Sequence, residues 1–130
     1  MISGAQHKID VVVSGWPGVV SGPHRFGGTE WRLGKREIGH IHGDELVDIP
    51  FPKHLRDDLV AAHQVEAHHV RPDSGWVTLP LRNDEDLRWA VVLMRYSYEL
   101  ARQRVARRTG RPVPSPSTAS TAAAMLAEVA

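Results

Sequence analysis

Residues 37–46 read Glu37-Ile38-Gly39-His40-Ile41-His42-Gly43-Asp44-Glu45-Leu46, and the fold turns on how this stretch is parsed. Glu37 to His42 reads as a strand, and Gly43-Asp44-Glu45 is turn chemistry that hands the chain to a further strand, Leu46 to Phe51. Working upstream, Gly34-Lys35 reads as a hairpin turn. Thr29–Leu33 then alternates, with Trp31 and Leu33 on one face and Glu30 and Arg32 on the other. Gly27-Gly28 is another turn, and Val19–Pro23 a short strand ending at Gly22-Pro23. The spacing of Gly and Pro from Val19 to Phe51 thus marks a meander of short strands. Pro50 and Pro52 place the last of them at a sheet edge or where a strand breaks up.

The flanks supply helices. Ile9, Val12, Val13 and Trp16 recur at helical spacing, although the β-branched run Val11–Val13 leaves a strand open. Pro17-Gly18 stops either element. Pro52 to His63 reads as a helix with proline in its first turn and Leu55, Leu59 and Ala62 as its apolar stripe. Val65–Val70 and Trp76–Arg82 read as a second hairpin, in which Val77, Leu79 and Leu81 share one face opposite Trp76, Thr78 and Pro80. The clearest helix runs from Asp84 to about Ala106, with Asn83 as N-cap, acidic residues in the first turn and arginines near the end. Its stripe is Leu87, Val91, Met94, Tyr98, Ala101 and Val105.

These elements predict an α+β fold of two layers, an antiparallel sheet packed by two main helices near 53–63 and 84–106. The expected core is Trp31, Leu33, Ile49, Leu55, Leu59, Val77, Leu79, Leu81, Leu87, Val91, Met94 and Tyr98. Residues 1–8 carry no periodic pattern and read as a flexible lead-in to a single domain over 9–108. The Pro/Ala/Ser-rich stretch 109–130 reads as a disordered tail, since so few large apolar groups cannot offset the ordering entropy.

The chain has 130 residues, with 16 basic and 15 acidic side chains, so it has no overall pull on nucleic acid or anionic membrane. It contains no cysteine, which excludes disulfide frameworks, thiolate zinc sites and a thiol nucleophile. No leader and no long apolar run is evident, and the expectation is a cytoplasmic protein. No P-loop or dinucleotide motif is present: the glycines at 15, 18, 22, 27 and 28 read as turns, and no cofactor is expected.

The side chains able to carry chemistry centre on His40, His42 and Asp44. On one strand, residues two apart project on the same side, so two imidazoles and a carboxylate could converge. That trio suits an acid/base pair oriented by a carboxylate, or three ligands for a borderline divalent metal; the metal reading is not favoured. His68-His69 on a neighbouring strand could add one more imidazole, with Asp48 and His24 as outlying candidates. Trp31 and Trp76 could line an apolar pocket on the strands. Against this, histidines commonly pack with one nitrogen on a backbone carbonyl, and tryptophans commonly fill cores. Gly39 and Gly43 lie on the opposite side from the imidazoles and suggest a close approach there. Ser74 in Asp73-Ser74-Gly75 reads as a loop former rather than a nucleophile. Arg102, Arg104, Arg107, Arg108 and Arg111 form the only basic patch, more simply a solvated helix end than a phosphate contact.

Three runs, Phe26 to Gly34, Arg36 to Asp44 and Leu46 to Pro52, resemble the small bacterial luciferase domain family. His68-His69-Val70, Pro72 to Val77 and Leu93-Met94-Arg95-Tyr96-Ser97-Tyr98 continue the likeness, which spans about residues 9 to 100. The family brings no assigned catalytic residues, and the large barrel of flavin-dependent luciferases, roughly 250 residues, does not fit this length. The element order is also distantly similar to YjbR-like domains, a helix pair on one antiparallel sheet, some of them labelled DNA-binding. The expected function is a small-molecule- or partner-binding accessory protein whose sheet carries a histidine-lined site, with Trp31, Asp48, His68, His69 and Trp76 around the ligand. The alternatives are a cofactor-free acid/base enzyme using His40 or His42 with Asp44, or, less favoured, a nucleic-acid binder using the arginine patch.

Overall fold

The computed structural model describes residues 2–62, 65–68 and 73–109. In chain order the elements are α1 (Ala5–Val13), β1 (Val19–His24), a 3₁₀ turn (Arg25–Gly27), β2 (Gly28–Leu33), β3 (Arg36–His42), β4 (Leu46–Pro50), α2 (Lys53–Ala61), β5 (Glu66–Ala67), β6 (Trp76–Pro80) and α3 (Asp84–Thr109). The strands form one sheet in the order β1-β2-β3-β4-β6-β5, and every pairing is antiparallel. The expected two-layer α+β architecture is therefore present.

The local choices follow the side chains. Ala5, Ile9 and Val13 are fully buried at a spacing of four, while Val11 and Val12 are 62% and 43% exposed, so helical periodicity prevails over the β-branched run. The helix begins at Ala5, four positions before the first residue that reads as periodic. β4 lies inside the sheet, between β3 and β6, and not at an edge. Pro50 is tolerated because it occupies the last position of the strand. The segment before β6 contributes only Glu66–Ala67 as strand among the described residues, and His63, His69 and Val70 of the expected helix and hairpin lie outside them.

One face of the sheet is the core. Trp31, Ile38, Ile41, Val47, Ile49, Val77, Leu79 and Leu81 are buried there. α3 crosses β2, β3, β4 and β6, with α1 packed beside it on β2, whereas α2 sits against β5 and β6. The helical layer thus contains α1 as well as the two expected helices. Asn83 caps α3, its Oδ1 accepting the Asp86 N–H at 2.8 Å. Leu59, Leu87 and Val91, expected in the core, are only partly buried. On α3 the fully covered line runs through Ala90, Met94, Tyr98 and Ala101, which leaves Leu87 and Val91 at its margin. Among the described residues, no helix is long and apolar enough to cross a membrane.

α3 comes close against the sheet at Gly39, where a Cβ would stand 2.3 Å from the Met94 sulfur. Gly39→Ala should therefore cost about 1–3 kcal/mol through overpacking, read as a lowered urea midpoint at unchanged slope. An unchanged midpoint would mean that α3 does not lie so close beneath the strand.

Candidate functional site

The second face of the sheet carries a row of polar residues set by strand register. The three-residue turn 43–45 puts His42 opposite Leu46 and hence His40 opposite Asp48. Continuing across the sheet, His40 also faces Glu30 on β2, Asp48 faces Thr78 on β6, and Thr78 faces Glu66 on β5. A bulge adds one more group. Trp31 pairs with Gly39 but Arg32 pairs with Glu37, so Ile38 is the extra residue on β3. It shifts the alternation by one, and Glu37 joins His40 on the polar face.

Asp48 is the centre of this face. Its side chain is fully buried, and a buried carboxylate must be compensated by donors. Thr78 Oγ1 donates to its Oδ1 at 2.6 Å. Its Oδ2 is met by the Nε2 atoms of His40 at 3.1 Å and His42 at 3.0 Å, with His68 Nε2 at 3.4 Å. Burial alone would raise the Asp48 pKa, but the hydrogen bonds from His40 and Thr78 and the positive rings around it hold the carboxyl well below its usual range.

The two histidines of β3 share one oxygen yet differ in protonation. Burial works against the charged form of both. For His40 this is outweighed, because Nδ1 also meets Glu37 Oε2 at 2.9 Å and the ring lies between two carboxylates; its pKa rises to about 9. His42 has Asp48 as its carboxylate contact, and burial together with the neighbouring His40 charge lowers its pKa. At neutral pH the cluster holds an imidazolium at 40 and a neutral ring at 42, the more exposed of the two.

Further groups frame them. His24 stacks on His40, with ring centroids 3.9 Å apart and planes at 16°, and its Nδ1 meets Glu30 Oε1 at 3.1 Å. Glu30 is paired in turn with Arg32. His40 and His42 stand nearly perpendicular, at 89°, and Trp76 borders His40 at 5.3 Å and His68 at 6.1 Å. One ring nitrogen from each of His24, His40 and His42 lies within 4.8 Å of the others, close enough for a shared metal ion.

Of the side chains expected to act together, His40, His42, Asp48, His68 and Trp76 share this face, and His24 joins them. Asp44 does not. β3 ends at His42, and at Gly43 the backbone turns through φ 55°, so the alternation does not carry on to residue 44. Asp44 instead accepts the N–H groups of Gly4 at 3.0 Å and Gln6 at 2.9 Å. It caps α1 from across the chain and has its pKa lowered by these bonds. Trp31 is also misplaced as a ligand residue: it is fully buried on the core face, and its Nε1 donates to Asp10 at 2.8 Å. His69 lies outside the described residues. Ser74 accepts the Trp76 N–H at 3.2 Å, as a loop former does. In the arginine patch, Arg102 lies 3.6 Å from Glu99, and Arg104 and Arg107 are exposed. Glu30, Glu37 and Thr78 were not singled out from the sequence. The alternation of β6 puts Thr78 on the face opposite Val77 and Leu79, but its place opposite Asp48 belongs to the β4–β6 pairing, and Glu37 needs the bulge.

A family model described as Luciferase domain matches residues 35–97, which runs from the turn before β3 into α3 and includes His40, His42, Asp48, His68, Trp76 and Thr78. The resemblance read from the sequence is thereby shown over that stretch. No curated protein and no solved structure matches the chain.

Two outcomes test this geometry. Asp44→Ala should lower stability by about 1 kcal/mol, the size of a lost helix cap, without altering the histidine titrations followed by NMR. In chelator-treated protein, stability should fall as pH rises from 7 to 9.5. His40 is protonated in both folded and unfolded states below its ordinary 6.5, and the native state gives up that advantage only on passing about 9. The loss amounts to roughly 2–3 kcal/mol, His42 being neutral in both states over this window. His40→Gln should flatten that slope; a wild-type urea midpoint equal at both pH values would refute the assignment.

Proposed function

We propose that this luciferase-domain protein binds a small organic molecule on the histidine-bearing face, and that His42 is the group that meets it. The observation that carries the reading is the tie of His42 Nε2 to buried Asp48 at 3.0 Å. With Nε2–H donating to the carboxylate, the ring is fixed in orientation and Nδ1 becomes its acceptor. A lowered pKa keeps that acceptor in its neutral form at neutral pH. The arrangement is that of an oriented base, able to take a hydrogen bond or a proton from a hydroxyl or acidic C–H of the ligand.

The neighbouring groups have supporting parts. His40 is held on both nitrogens by carboxylates, so it acts as a fixed cation that sets the local field. Trp76 adds an aromatic wall beside His40, suited to a ligand with a flat apolar portion. The polar row across β2, β3, β4 and β6 keeps these groups on rigid strands, which favours positional accuracy over adaptability.

The test is a screen of hydroxylated and enolisable aromatic acids against chelator-treated protein, read by tryptophan fluorescence and thermal shift. Binders should lose at least about tenfold in affinity in His42→Ala, and should bind unchanged in His54→Ala, which removes an exposed imidazole on α2. If every binder is indifferent to His42→Ala, or if no compound in the panel binds, the face is not a ligand site.

A further inference from the structure

We infer that the cleft between the β2–β3 turn and the last turns of α3 binds a small organic phosphate, its phosphate group held by Arg36 and Arg104 and its apolar part lying on Ala101 and Val105. The cleft is separate from the histidine face. Arg36 opens β3 and His42 closes it, about 20 Å apart along the strand.

Two elements bring these groups together. β2 and β3 are joined by the turn Gly34-Lys35, with Leu33 paired to Arg36 and Gly34 at φ 62°. Side chains of a cross-strand pair stand on one face. Leu33 is buried in the core, so Arg36 lies on the helix side of the sheet. Arg32 Nη1 donates to the Lys35 carbonyl at 3.2 Å and pins the turn. On α3, Ala101, Arg104 and Val105 fall at i, i+3 and i+4 and share one helix face. Ala101 is fully buried, and its small side chain leaves room beneath the arginines. Together with Lys35 and Arg107 these residues line a cleft of about 460 Å³, a size ordinary for small-molecule sites.

Charge identifies the occupant. Among the described residues, none of the four cations of the cleft meets a carboxylate. The nearest acids in sequence are taken elsewhere, Glu37 by Arg32 and His40 and Glu99 by Arg95 and Arg102. Arginines in the last turns of a helix answer its dipole, but Lys35 and Arg36 come from a different element and need another reason. Burial and the Arg104 charge lower the pKa of Arg36, so two like charges are brought together where solvent screens them poorly. A guanidinium keeps its charge even so, and the compensation is left to a bound anion. Guanidinium forks match phosphate oxygens, and paired cations favour a dianion over a monoanion. The apolar floor of Ala101 and Val105 offers nothing to a bare ion, which is why the phosphate is an organic one. Arg102 turns to Glu99 and does not line the cleft. The arginines that read from the sequence as one patch are therefore divided, and the result is a concave pocket in place of the continuous stripe that a nucleic-acid backbone follows.

The experiment titrates phenyl phosphate, glycerol 3-phosphate and glucose 6-phosphate into the full untagged chain in a calorimeter at low ionic strength, with circular dichroism as the folding check. Inorganic phosphate and a short DNA duplex are the comparisons. The expected result is at least one ester bound at one per chain and more tightly than inorganic phosphate. Arg36→Gln and Arg104→Ala should each weaken it at least about tenfold. Arg88→Ala, which removes an exposed cation of α3 about 24 Å from Arg104, should leave it unchanged. Arg104 is exposed, so its variant decides the matter if Arg36→Gln does not fold. The inference is overturned if no ester binds, if inorganic phosphate binds as tightly, if Arg104→Ala is without effect or no worse than Arg88→Ala, or if the duplex binds more tightly than every ester. Ester binding should also be unchanged in His42→Ala, so this site and the histidine face can fail separately.

Discussion

The polar half of this molecule is organised by one buried carboxylate. Asp48 lies on an interior strand, fully removed from solvent, and an ionised group there needs several donors to offset desolvation. Thr78, His40, His42 and His68 are placed around it by strand pairing. The consequence runs outward. His40 meets Asp48 through one nitrogen and, when protonated, donates to Glu37 through the other, and Glu37 reaches the same face only because β3 carries an extra residue at Ile38. Removing one partner of such a buried pair typically costs about 3–5 kcal/mol, so the cluster constrains the fold as much as the fold positions the cluster.

The same strands do opposite work on their two sides. Ile41 and Val47 seal the core under α3, while the residues next to them, His42 and Asp48, build the polar face. Precision on one side is inherited from packing on the other, since neither strand can slide without moving both sets. Gly39 sits where these demands meet: its missing side chain admits Met94 from below, directly before His40 above. Asp44 links the layers differently. By capping α1 across the chain, it fixes the helix start to the turn that sets the β3–β4 register.

How much of this is legible in the sequence depends on whether the signal is local. The alternation in Thr29–Leu33 and in Trp76–Pro80 assigned the core and polar faces correctly, because period two needs no knowledge of partners. Asp48 reads from the sequence as an outlying member of the acid/base group and as a ligand-lining residue, yet the turn at 43–45 fixes its position opposite His40 by counting, so a register argument ranks it above Asp44. The Asp44 expectation extended a strand rule through a turn that its own flanking glycine announces. Glu37 was not legible at all, because a bulge is a property of two paired strands and the alternation of one strand cannot reveal it. Leu87 and Val91 were misjudged for a related reason: α3 is apolar over so wide an arc that only the sheet beneath decides which line is covered.

The difference between His40 and His42 shows how a site acquires distinct roles from like parts. Both rings sit on one strand, two residues apart, and both address one oxygen. The asymmetry comes from a single extra carboxylate: Glu37 makes a charged ring at 40 favourable, and that charge disfavours a second one at 42. One histidine thereby carries the charge and the other stays neutral. Two identical side chains on an evenly pleated strand would compete for the same proton; the bulge that delivers Glu37 to one of them resolves the competition. The charge pattern of this face therefore depends on a backbone irregularity four residues before His42.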